Sequence, residues 1–72
     1  MPWFYPLPPA KAEAIELLAE GLSNEEIARA MVRRRETIEM HIQMSRMKLN
    51  VLTRAELVDW VAKHRPRSTG SA

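Results

Sequence analysis

The sequence predicts an all-α domain of four short helices, and three local signals predict it. Gly21 follows an apolar-periodic stretch and can close a helix in the left-handed region without Cβ strain. Ser23 and Glu26 have the spacing of a capping box, in which hydroxyl and carboxylate satisfy free backbone N–H groups reciprocally. Thr53 and Glu56 repeat that spacing later in the chain. The first two signals are almost contiguous, so two helices meet at a tight joint, as in small helical DNA-binding modules.

Each element follows from its residues. Positions 1–8 form an arm rich in proline and aromatic residues, which cannot be helical. Pro9 suits the first position of a helix, where a missing N–H is harmless. The first helix is expected over 9–20, with Ala14, Ile15, Leu18 and Leu22 on one stripe. The second is expected over 24–31, burying Ile27, Ala28 and Met31. The third, over 35–49, carries Ile38, Ile42, Ser45 and Leu49 on one face. Asn50 tolerates the left-handed closing position. The fourth, over 54–64, turns Leu57, Val58 and Val61 inward, and Pro66 stops it. The helical domain thus spans 9–64, and 65–72 reads as a flexible basic tail.

Composition limits the function. Seventy-two residues allow one domain with a small core. Cysteine is absent, so neither a disulfide framework nor a thiolate metal site is available. No apolar run approaches membrane-helix length, and the N-terminus lacks the pattern of a signal peptide, so a cytoplasmic location is expected. The net charge of +2 conceals an asymmetry: residues 1–28 hold one Lys against five Glu, whereas residues 29–72 hold ten Lys or Arg against three Glu and one Asp. The basic part fits an anionic partner, although solvated helix faces account for part of such a bias. His41 and His64 lie on different predicted helices with no array of acids beside them, so no metal site is expected. Ser23 and Thr53 read as caps rather than nucleophiles, and there is no glycine-rich phosphate loop. Neither an enzyme nor a bound cofactor is expected.

Four blocks carry a family resemblance. They are Leu17-Leu18-Ala19-Glu20-Gly21-Leu22-Ser23-Asn24-x-Glu26-Ile27-Ala28, Thr37-Ile38-Glu39-x-His41-Ile42, Lys48-Leu49-x-Val51 and Arg54-Ala55-Glu56-Leu57. In this order and spacing they resemble the GerE-like helix-turn-helix domain of the LuxR family of bacterial transcription regulators, from about Leu7 to Val61. The resemblance implies a four-helix LuxR-type helix-turn-helix domain whose third helix enters the major groove and whose fourth often makes a dimer contact. It implies a sequence-specific, double-stranded DNA-binding transcriptional regulator that acts as a homodimer. Family members often carry a further receiver or ligand-binding domain, and 72 residues leave no room for one, so a stand-alone regulator is expected.

On that footing Glu36, Glu39, Met40 and Gln43 are the candidate base readers: Gln43 can pair bidentately with adenine, methionine can pack on a thymine methyl, and Glu39 can accept from a cytosine amino group. Arg33, Arg34, Arg35, Thr37, Arg46 and Lys48 are candidate phosphate contacts. Leu57, Trp60 and Val61 are the candidate dimer interface. Trp60 could alternatively be covered by the N-terminal arm, where Trp3, Phe4 and Tyr5 read more readily as packing than as an interaction arm.

Two departures qualify the resemblance. The turn has Val32, Arg33 and Arg34 where the family usually has Gly, an aliphatic residue and Ser. A valine in a left-handed turn costs roughly 1–2 kcal/mol, and a lost Ser cap about 1 kcal/mol more. Either the arginines form a basic lip against the DNA backbone or the turn is remodelled. Ser45 occupies a core position that is usually apolar, and its hydroxyl can bond back to the carbonyl of residue 41. A second function also remains open. Met40, Met44 and Met47 form an apolar ridge that suits adaptable protein contact, so the domain could be a helix-turn-helix-derived module that binds another regulator.

Overall fold

The computed structural model describes residues 3–65, which contain four helices: α1 Pro9–Ala19, α2 Asn24–Met31, α3 Arg35–Leu49 and α4 Arg54–His64. No strand occurs among the described residues. The expected proline stop at Pro66 and the basic tail beyond Arg65 lie outside them. No helix is long and apolar enough to cross a membrane among the described residues.

Both expected capping boxes form. Ser23 Oγ accepts from the Glu26 N–H at 3.2 Å, and Glu26 Oε1 accepts from the Ser23 N–H at 2.8 Å. Glu56 Oε1 accepts from two backbone N–H groups, Leu52 at 2.8 Å and Thr53 at 3.2 Å, while Thr53 Oγ1 accepts from Glu56 N–H at 3.1 Å.

Three helix ends close in the same way. Gly21, Val32 and Asn50 have φ of +99°, +55° and +58°. Each donates its N–H to the carbonyl three residues back, and the next residue donates to the carbonyl five back: Leu22 to Leu17 at 3.3 Å, Arg33 to Ala28 at 2.8 Å and Val51 to Arg46 at 3.0 Å. This pattern satisfies carbonyls that a helix end leaves open. Glycine and asparagine suit the left-handed position; Val32 does not, and its side chain is 87% exposed, so no packing offsets the strain.

α1 packs against the other three helices, and the core forms around it. Ile15, Ile27, Ile38, Leu57 and Val61 are fully buried, so every helix contributes at least one side chain. Leu7 joins this core, and Trp3 packs against it with its ring edge-on to Phe4 at 5.7 Å. Tyr5 is exposed. The buried Ser45 donates to the His41 carbonyl at 2.7 Å, which meets the polar demand its position creates.

Candidate nucleic-acid interface

The packing of α3 determines which side chains face outward. Ile38, Ile42 and Ser45 are buried, so the opposite face is left to solvent. Glu36, Glu39, Met40 and Gln43 are exposed there, as are Met44, Met47 and Lys48. The four expected base readers therefore share one surface with the methionine ridge. Met44, Met47 and Lys48 line a shallow apolar depression toward its C-terminal end.

The turn before α3 is basic and open. Arg33 and Arg34 are exposed and form no ion pair among the described residues. With Ala28, Arg29, Val32 and the half-buried Thr37 they line an open depression beside the start of α3. Arg34 occupies the N-cap of α3 and makes no side-chain cap bond. The missing serine cap is thus not replaced, and the guanidinium remains available to an external anion.

Two arginines expected at phosphates have partners within the chain. Arg35 Nε donates to Glu39 Oε2 at 3.0 Å, and its Nη1 lies 3.9 Å from Glu25 Oε2. This clamp offsets the Arg35 charge and fixes the Glu39 carboxylate on the outer face. Arg46 Nη1 donates to the Leu52 carbonyl at 2.7 Å, which ties α3 to the loop before α4.

The expected dimer residues separate. Leu57 and Val61 have no exposed surface and sit in the core of their own chain, so the expectation that they form an interface is corrected. The i, i+4 pair Leu57 and Val61 faces α1 and leaves Trp60 on the flank. Trp60 is half-buried, packs on the core and is covered by the His64 ring, which stacks on it at 3.9 Å and 11°. His64 Nδ1 is also 2.8 Å from the Trp60 carbonyl. Trp60 and His64 line an open groove with Leu52, Asp59 and Lys63, and Leu52 is 80% exposed.

His41 is half-buried, and its Nδ1 is buried with no hydrogen-bond partner among the described residues. Burial lowers its pKa below the ordinary 6.5, and Lys11 and Arg33 lower it further. The effect of Lys11 on this site escaped sequence reasoning because the two are thirty positions apart, and its charge acts on the ring only because α1 packs on α3. Among the described residues no group of three or more His, Cys, Asp or Glu could hold a metal.

Residues 9–61 match the family of bacterial regulatory proteins, luxR family. No curated protein and no solved structure matches the chain.

Proposed function

This chain belongs to the luxR family of bacterial regulatory proteins, and we propose that it reads double-stranded DNA as a homodimer and thereby regulates transcription. One observation carries the reading. The outer face of α3 presents Gln43, Met40 and Glu39 beside a turn whose Arg33 and Arg34 have no carboxylate partner among the described residues. Base-edge groups next to unengaged cations are what direct readout with phosphate anchoring requires.

The residues divide by role. Gln43 offers both a donor and an acceptor to adenine. Met40 offers an apolar surface to a thymine methyl. Glu39 is held by Arg35, which favours a fixed acceptor for a cytosine amino group over a mobile carboxylate that repels phosphate. Arg33, Arg34, Thr37 and Lys48 anchor the backbone. Arg35 and Arg46 orient neighbouring groups instead. A dimer would use the groove at Trp60 and Leu52, since Leu57 and Val61 are enclosed.

A second reading rests on the methionines. Met40, Met44 and Met47 are 52%, 42% and 72% exposed along one side of α3. A ridge of this kind suits adaptable contact with another protein's helix. The test is a binding selection over random duplexes. Enrichment of a motif with dyad symmetry supports a dimeric DNA reader. Absence of enrichment, with a regulator captured by the wild type and lost by Met40→Asp, supports the protein-binding reading.

A further inference from the structure

The outer face of α3 carries a chemistry that base readout does not use. Met40, Met44 and Met47 recur at i, i+4 and i+7, so their thioethers lie along one side of the helix. All three are exposed, and none belongs to the core cluster of the described residues. Met31 differs: it is half-buried and packs against that cluster. Met44 and Met47 line one shallow depression with Lys48, all on α3. The chain has no cysteine, so methionine holds all of its sulfur. Leucine matches methionine in helix propensity and in apolar bulk. What this ridge adds over three leucines is three accessible, oxidisable sulfur atoms.

We propose that Met40, Met44 and Met47 form a peroxide-oxidation site, and that their conversion to sulfoxides releases specifically bound DNA while leaving the fold intact. The inference rests on the DNA-binding reading above and adds a regulation to it. The oxidant is a peroxide, and the step is written here for hydrogen peroxide. The thioether sulfur attacks one peroxide oxygen; the S–O bond forms as the O–O bond breaks. The sulfur is oxidised by two electrons, and the other oxygen takes up the proton of the transferred one and leaves as water. The product is a polar, chiral side chain. On Met40 it puts a sulfoxide dipole where a thymine methyl would pack. Arg33 and Arg34 are untouched by this chemistry and keep their charge, so the loss falls on sequence-specific binding alone. The ridge also lies apart from the groove at Trp60 and Leu52, so subunit association is not the affected step.

The test is treatment of the protein with hydrogen peroxide, followed by peptide mass mapping, urea unfolding, and anisotropy on the duplex selected from a random pool and on an unselected one. Met40, Met44 and Met47 should each gain an oxygen before Met31 does. The oxidised protein should bind the selected duplex about fivefold or more weakly. Its urea midpoint, its affinity for the unselected duplex and its salt slope should not change. A methionine sulfoxide reductase with a dithiol should restore the affinity; the dithiol becomes a disulfide and the oxygen leaves as water. Replacing all three methionines by leucine should keep motif binding and remove the peroxide sensitivity. Met40→Gln, which is polar and of similar length, should reproduce the loss without oxidant. Oxidation of Met31 ahead of the ridge overturns the site. An oxidised ridge with unchanged affinity for the selected duplex overturns the switch and leaves DNA reading intact. Equal peroxide sensitivity in the leucine variant places the effect elsewhere and also overturns the switch. An untreated protein that selects no motif overturns the DNA reading and the switch together.

Discussion

Replacing Arg33 and Arg34 together by alanine should remove two phosphate contacts and leave the fold intact. Both side chains are exposed, and neither makes an ion pair or cap bond among the described residues. Each lost contact should flatten the dependence of log affinity on log salt by about 0.9, so the pair should flatten it by about 1.8. Between about 50 and 200 mM salt, that change makes the affinity deficit of the variant about twelvefold smaller at the higher salt. The control is Arg35→Ala with Glu39→Ala. These side chains are bonded to each other at 3.0 Å, so their joint removal keeps the net charge and should leave the slope unchanged. Fluorescence anisotropy with a labelled duplex over a salt series measures both. A slope unchanged in the Arg33/Arg34 variant, or lowered equally in the Arg35/Glu39 variant, would refute the division between anchoring and clamped arginines.

Val32→Gly should stabilise the domain. Relief of the left-handed strain is worth about 1–2 kcal/mol, and the added freedom of the unfolded chain takes back about 0.4–1 kcal/mol, leaving a gain near 1 kcal/mol by urea unfolding; a loss would mean that the valine side chain packs on something. Leu57→Ala should destabilise by about 2–5 kcal/mol as a core truncation, whatever the protein concentration; a loss that appears only through dissociation of a dimer would return Leu57 to an interface. Because the folded His41 pKa lies below the ordinary 6.5, its contribution to stability is full above that value and falls as pH drops toward the folded midpoint. The urea midpoint should therefore decline as pH falls below about 6.5, and His41→Gln should flatten the decline; an equal decline in both proteins would assign it elsewhere.

Local chemistry was legible in the sequence, and long-range pairing was not. Ser23 with Glu26 and Thr53 with Glu56 are bonded within one helical turn, so their spacing suffices to predict them. Gly21 and Asn50 advertise a left-handed end by residue type, and the apolar stripe of α3 identifies its outer face by subtraction. Val32 is legible only through the family's spacing, since valine itself argues against the conformation it adopts. The site was read less completely, because charge alone does not tell an available arginine from an engaged one. Arg35 meets Glu25 across the turn and Arg46 meets the Leu52 carbonyl across a loop, and neither pairing has a sequence signature. Leu57 and Val61 failed as interface residues for a related reason: helical spacing reveals an apolar side but not whether the cover comes from the same chain. The His64 ring over Trp60 likewise depends on side-chain placement.

The central claim is that the outer face of α3 reads base edges, and Gln43→Ala tests it most directly. Gln43 is exposed and has no hydrogen-bond partner within the chain among the described residues, so its truncation leaves the fold untouched. On the duplex enriched from a random pool, Gln43→Ala should lose about 1–3 kcal/mol of discrimination at one base pair, with the other positions unaffected. Met47→Ala on the same duplex should change affinity little. The reverse order, with Gln43→Ala silent at every base pair and the methionine substitutions abolishing capture of a partner regulator, would contradict base readout and make α3 a protein-binding helix.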